Sequence, residues 1–171
     1  MSVEISGLER LLERFETVGD TKKVAEAVKM ACLIVEREAK IKAPKGGGDD
    51  SGGENLRGSI TSEVHGLTGR VFTPLEYAPY VEYGTGKFAE GGKGRQEVPW
   101  VYVTNSAKRK GPGRKDYTEE TAKEAVAYLK SKGLDAHMTY GRKPRPFLIP
   151  ALTENREEIL RMIKEAAVND D

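Results

Sequence analysis

The amino-acid sequence predicts a single α+β domain over residues 1–171, and three observations lead to this prediction. Apolar residues recur at helical spacing near the N-terminus, residues in the middle of the chain alternate as in β-strands, and the last stretch is amphipathic and highly charged. We expect two N-terminal helices, a small antiparallel sheet of about four strands, a short aromatic helix, an inserted helix, and a C-terminal helix packed on the sheet. A chain of this length can bury enough apolar surface to fold without disulfides.

Two amphipathic helices are predicted first. Apolar residues repeat at helical spacing over residues 8–18, with charged residues between them. Gly19 interrupts this pattern, and Asp20 is suited to cap a second helix, which ends at Ala43-Pro44 because the residue before a proline disfavours helical geometry. The two apolar stripes consist of Leu8, Leu11, Leu12, Phe15 and Val18, and of Val24, Ala27, Val28, Ala31, Val35 and Ala39.

The next segments predict a loop, a hairpin and a short helix. Residues 45–54 combine five glycines with three acids, which indicates a flexible loop. Residues 59–74 alternate around a glycine-containing turn and predict an antiparallel hairpin. Residues 77–84 are aromatic and compact, so we expect a short helix that ends at Gly84 in the left-handed conformation.

The C-terminal half predicts a strand pair that carries a helix. Residues 98–104 alternate as a strand does, and residues 134–140 are expected to return beside them. Between these strands, residues 105–135 look like an insertion, in which a basic loop precedes a helix over 117–132. The last helix opens in the segment 144–152.

Charge and composition bear on which classes of function the protein can have. The 28 basic residues nearly balance the 27 acidic ones, so the net charge of +1 gives no overall field that would gather nucleic acid. No apolar run approaches the length of a membrane span, and the N-terminus lacks the order of a signal peptide. We therefore expect the protein to be made and kept in a cytoplasm, without membrane partners. The single cysteine, Cys32, is interpreted as a small buried hydrophobe.

Five short strings stand in a fixed order along the chain: IKAP (41–44), NLRGSI (55–60), YAPYVEYGTG (77–86), VPWVYV (98–103) and KPRPFLIPAL (143–152). Together they resemble the tail-component family of long-tailed bacteriophages and prophages. The resemblance implies a virion protein of the neck or proximal tail that does assembly work without chemistry. It also implies copies around an axis through which DNA passes. The chain departs from the family pattern in its long loop 45–54 and in the insertion 105–135.

The residues themselves favour no enzyme, metal or cofactor. The two histidines, His65 and His137, stand far apart and lack the spacing of a metal site. The segment Gly84–Lys87 contains Gly-Lys, but a phosphate-binding loop would need glycine at Val81 and a hydroxyl residue at Phe88. A glycine turn is the simpler interpretation. Glu82 and Glu90 could form a pair of carboxylates for acid-base catalysis, yet acidic side chains beside glycines are usually solvated. A hydrolase with an unrecognised site is kept as a third, weaker hypothesis.

A DNA-binding accessory protein is the alternative function. Basic loops can neutralise the phosphates of DNA without making sequence-specific contacts to the bases. Lysines are, however, also common in loops that are simply exposed to solvent. Only Glu90 and Glu97 oppose the basic residues of the central stretch, which are Lys87, Lys93, Arg95, Lys108, Arg109, Lys110, Arg114 and Lys115. In a ring around DNA the two functions merge, because such a ring can contact phosphates non-specifically.

Aromatic residues concentrate in the middle of the chain, and one or two of them are expected to face a neighbouring subunit. The expected partners are other neck and tail proteins, further copies of the chain in a ring, and passing DNA. The predicted interface residues are Tyr80, Glu82, Tyr83, Gly84, Thr85, Gly86, Lys108, Arg109, Lys110 and Arg145.

Overall fold

The computed structural model describes residues 2–4, 21–45, 53–92, 94–95, 97–104 and 117–168. These residues confirm the predicted α+β class and group into two compact units. The first unit comprises the chain up to Ala78 and from Arg145 onward, and the second comprises Pro79–Pro144. The predicted helix over 8–18 and the basic loop 105–116 lie outside the described residues.

The helices and strands have the following bounds. In chain order they are β1 (Ser2–Glu4), α1 (Thr21–Lys42), α2 (Gly53–Ser59), β2 (Thr61–His65), β3 (Thr68–Phe72), α3 (Ala78–Tyr83), β4 (Trp100–Val103), α4 (Glu119–Ser131), β5 (Ala136–Thr139), α5 (Leu148–Glu154) and α6 (Arg156–Val168). Two short 3₁₀ turns, Gly86–Phe88 and Glu90–Gly92, lie between α3 and β4. Gly53 and Glu54 therefore begin a helix, which corrects the predicted end of the loop 45–54.

Helix α1 confirms the second predicted helix. Arg57, in the string NLRGSI, contacts the C-terminal end of this helix. The buried side of α1 carries the predicted stripe together with Cys32, except that Ala27 is only half-buried. The Nε and Nη2 atoms of Arg57 donate to the Ala43 carbonyl at 3.0 and 2.9 Å, and Nη2 also reaches the Ile41 carbonyl at 3.3 Å. Carbonyls at a helix end have no partner within the helix, so this guanidinium caps α1.

The first unit contains a three-stranded antiparallel sheet in the order β1-β3-β2, against which α1 packs. Close packing depends on Gly69 of β3, where a Cβ atom would meet the sulfur of Cys32 and approach Val28 to 3.0 Å. Across the same boundary, the Glu36 carboxylate accepts hydrogen bonds from Ser62 of β2 and from Lys40. Burial alone would raise the pKa of Glu36, but these hydrogen bonds outweigh it and lower the pKa.

The C-terminal helices pack on α1, and α1 is the helix that covers the sheet. This corrects the prediction of one C-terminal helix packed on the sheet. The chain makes two helices because Asn155 leaves helical geometry and its side-chain amide donates to the Ala151 carbonyl at 2.8 Å. Helix α6 then directs Ile159 and Ile163 into the core of the unit.

The second unit contains the predicted strand pair, in which β4 and β5 run antiparallel with Trp100 opposite Thr139. Helix α4 connects these strands and packs on both. Its first turn is fixed by a reciprocal pair, because Thr118 and Thr121 each bond the other's backbone N–H through their hydroxyls. Among the described residues the five strands form two sheets, and this corrects the prediction of one sheet of about four strands.

Candidate functional site

The candidate site begins at the short aromatic helix α3. Tyr80 is 63% exposed and Tyr83 is 39% exposed, and residues three apart on a helix lie on the same face. The helix ends where Gly84 adopts φ +77°, as predicted. Two large aromatic side chains are thus presented together next to a glycine-rich loop.

Backbone hydrogen bonds fix the loop after α3 against the segment that follows β5. The Thr85 N–H donates to the Arg142 carbonyl at 2.9 Å, and the Arg142 N–H donates to the Thr85 hydroxyl at 2.9 Å. Two residues further on, the Lys87 N–H donates to the Tyr140 carbonyl at 3.0 Å. Only glycine fits at position 86, because a Cβ there would meet the Tyr140 carbonyl oxygen.

A pocket of about 930 Å³ opens between α3, this loop and β4. Tyr80, Tyr83 and Trp100 line it, and the guanidinium of Arg95 lies 5.3 Å from the centre of the Trp100 ring. In the described part of the chain, the buried Nε atom of Arg95 has no hydrogen-bond partner, and the Glu97 carboxylate lies 3.8 Å from it. Aromatic and apolar walls with a few convergent polar groups are typical of binding sites.

Lys87 does not take the place of a phosphate-loop lysine. Its ammonium lies 4.4 Å from the centre of the Tyr140 ring and 5.0 Å from that of Phe88. The Tyr140 hydroxyl donates to Glu119 at 2.8 Å, which raises the pKa of Tyr140. Glu119 also pairs with Lys123, and these hydrogen bonds lower the pKa of Glu119. Lys87 therefore lies among aromatic rings, which agrees with the glycine-turn interpretation.

The remaining predicted interface residues are distributed differently. Glu82 is fully buried, so its side chain faces the interior of the protein. Thr85 is partly buried, and Gly84 and Gly86 are buried. Arg145 is an exposed residue of the first unit. Lys108, Arg109 and Lys110 lie outside the described residues.

The histidines have separate surroundings. His65 is exposed in β2, whereas His137 stacks on Tyr102 with ring centres 5.4 Å apart and lies 2.9 Å from Asp135. Within the described residues, no group of three or more His, Cys, Asp and Glu side chains is placed to hold a metal ion. In that part of the chain, no helix combines the length and apolar character needed to cross a membrane.

The Arg95–Trp100 pair is the part of the site that the sequence-based interface left out. The sequence had drawn attention to both residues for other reasons. Arg95 is one of the basic residues of the central stretch, and Trp100 is one of the aromatic residues in the middle of the chain. Their contact could not be inferred, because it depends on the path of the loop between α3 and β4.

Comparison with known proteins finds a family model that resembles part of the chain. Residues 7–84 match the family model described as "Bacteriophage HK97-gp10, putative tail-component". This match confirms the predicted resemblance and supports a structural protein of a phage tail. No curated protein and no solved structure matches the chain significantly.

Proposed function

From the match of residues 7–84 to a phage tail-component family, we propose that the protein is a non-catalytic structural subunit of the head-tail joint. Copies form a closed ring at the neck or the proximal end of the tail, and they bind other neck and tail proteins there. The protein enters the virion from the host cytoplasm, where assembly takes place. The family match carries this proposal.

The exposed aromatic residues supply the surface that such a subunit needs. Tyrosine, tryptophan and arginine are the residues that most often dominate the energy of protein interfaces. Tyr80, Tyr83, Trp100 and Arg95 surround one pocket in the second unit. We therefore assign the docking surface to this pocket, whose lining includes Gly84, Thr85 and Gly86.

Contact with DNA belongs to the proposal only as non-specific contact inside the ring. The basic residues 108–110 that would make it lie outside the described residues. Lys87, which is described, already lies against Tyr140 and Phe88. The alternative of a DNA-binding accessory protein therefore retains its sequence-based support and gains none from the described residues.

Deleting the gene from the phage or prophage that carries it is expected to stop particle completion. Capsids and tail tubes should still be made, because the proposed role lies at their junction. Electron micrographs of the lysate should show unjoined heads and defective tails, and a plasmid copy of the gene should restore infectious particles.

Complementation with variants tests the docking surface in the same lysate. The double variant Tyr80→Ala/Tyr83→Ala should fail to restore particles, because it removes both exposed rings from the pocket. Tyr128→Ala is the matched control, since Tyr128 is also 63% exposed but lies on α4 outside the pocket. Normal infectious particles from the deletion lysate would refute the proposed function.

A further inference from the structure

Helix α1 carries a second apolar stripe, on the side opposite its buried one. Met30, Leu33 and Ile41 are 54%, 46% and 61% exposed. Together with Glu26 and Arg37 they follow the spacing i, i+4, i+7, i+11 and i+15, which places all five on one face of a helix. We call these five residues the outer stripe.

We propose that the pocket of one copy binds the outer stripe of a second copy of this chain. The proposal rests on the proposed function, because it names the two surfaces that join neighbouring subunits. A helix that lays its apolar residues into an apolar groove is a common mode of recognition. Here the groove is the pocket between α3 and β4, and Tyr80 and Tyr83 in its wall are exposed.

The apolar parts of the two surfaces fit each other chemically. Met30 and Leu33 stand one turn apart in the middle of the outer stripe, and both have flexible, unbranched or γ-branched side chains. The pocket offers Tyr80, Tyr83 and Trp100 as walls. Thioether sulfur and aromatic rings attract each other, so a methionine is well suited to such a wall.

The two surfaces also carry charges of opposite sign. In the outer stripe, acidic Glu26 and basic Arg37 flank the two central apolar residues. In the pocket, the side chain of Arg95 is 32% exposed, and Glu90 is an exposed carboxylate. Docking would pair Glu26 with Arg95 and Arg37 with Glu90.

Arg37 is able to change partners at small cost. It now pairs at 3.0 Å with its neighbour Glu38, and its own side chain is 68% exposed. Exposed ion pairs of this kind contribute little to stability. Charge pairs across an interface chiefly set its register and specificity.

The two surfaces are different patches of one chain, so the contact between copies is heterologous. Heterologous contacts build closed rings when the rotation between subunits closes, and filaments when it does not. In a ring, each copy would therefore use its pocket to bind one neighbour and its outer stripe to bind the other, and no two-fold axis would relate neighbouring copies.

Disulfide formation between two single-cysteine additions tests the proposal. One protein carries Leu33→Cys and the other carries Tyr80→Cys. The native Cys32 should not interfere, because it is fully buried and burial raises its pKa. In a mixture, the mixed dimer should form about tenfold faster than either homodimer, since docking raises the effective concentration of the two thiols.

The matched control replaces Tyr80→Cys with Tyr128→Cys, a site of equal exposure outside the pocket. Equal rates at the two sites would overturn the proposal. Faster homodimers of Leu33→Cys would also overturn it, because two stripes would then meet each other. So would rapid disulfide closure inside one chain of a Leu8→Cys/Leu33→Cys variant, since the preceding segment would then cover the stripe.

A charge exchange provides the second measurement. Arg37→Glu and Glu90→Arg should each weaken self-association about tenfold in sedimentation experiments, and the double variant should recover it. Trp100, the single tryptophan, reports pocket occupancy directly, because docking should shield its fluorescence from acrylamide. The assigned surfaces would be contradicted if the double variant lost as much self-association as the two single variants combined, and if acrylamide quenching of Trp100 did not change on self-association.

Failure of this inference and failure of the proposed function are distinguishable. Unjoined heads in the deletion lysate without preferential cross-linking would refute only the surfaces named here. Normal particles in that lysate would refute the function, whatever the cross-linking shows.

Discussion

Replacing Phe147 with alanine is expected to lower the free energy of unfolding by about 3–5 kcal/mol, one of the two largest stability effects that we predict. Phe147 lies in the PRPFLIPAL string and is fully buried at the start of α5, in the first unit. Truncation removes a large apolar side chain from a packed core and leaves a cavity that the neighbouring helices fill only in part. Urea unfolding followed by far-UV circular dichroism measures the loss.

The control for this substitution is Val168→Ala, because Val168 is 78% exposed in the same unit. Its effect should remain within about 0.5 kcal/mol. If Phe147→Ala and Val168→Ala changed the unfolding midpoint equally, Phe147 would not belong to the core as described.

Replacing Gly86 with alanine is expected to disrupt the pocket. Gly86 adopts φ +57°, which costs other residues about 1–2 kcal/mol. In addition, the new Cβ would meet the Tyr140 carbonyl oxygen and lie 2.9 Å from Cζ3 of Trp100. A backbone carbonyl cannot rotate away as a side chain can, so we expect a further loss of about 1–3 kcal/mol.

Gly91→Ala separates these two costs. Gly91 has φ +68°, but a Cβ there would meet nothing within 4 Å. Its variant should therefore show the backbone cost alone and leave the fluorescence of Trp100 unchanged. Gly86→Ala should destabilise more and change the emission of Trp100, and equal behaviour of the two variants would show that position 86 tolerates a side chain.

Much of the fold was predictable where a local pattern is strong. The buried stripe of α1 follows helical spacing over about four turns, and Ala43-Pro44 marks the end of the helix. The hairpin β2–β3 and the pair β4–β5 follow from alternation next to turn residues. Gly84 was predictable because a helix end in the left-handed region favours glycine.

The rest depends on contacts that no local pattern encodes. Strand β1 has three residues, too few for alternation to be recognised, and it pairs with β3 from a distant position in the sequence. Alternation predicts a strand but not its sheet, so the division into two sheets was missed. Helix α2 starts at Gly53, a residue with poor helix propensity.

The candidate site was predicted in part for the same reason. Tyr80 and Tyr83, which were expected at the interface, are exposed, whereas Glu82 was expected beside them and is buried. The interface itself stays a prediction. Charged residues are rarely fully buried, so the sequence alone favours exposure for a glutamate in this position. Arg95 and Trp100 are five positions apart in the sequence, and no local pattern predicts that their side chains meet.

The central claim, that the protein is a structural component of the phage tail, is tested most directly by quantitative mass spectrometry of purified particles. The account predicts that the protein remains with intact virions through gradient purification, in a constant ratio to the tail-tube and portal proteins. When heads and tails are separated, the fraction that keeps this part of the joint should contain the protein in the same ratio. Absence of the protein from intact, infectious virions would contradict the account.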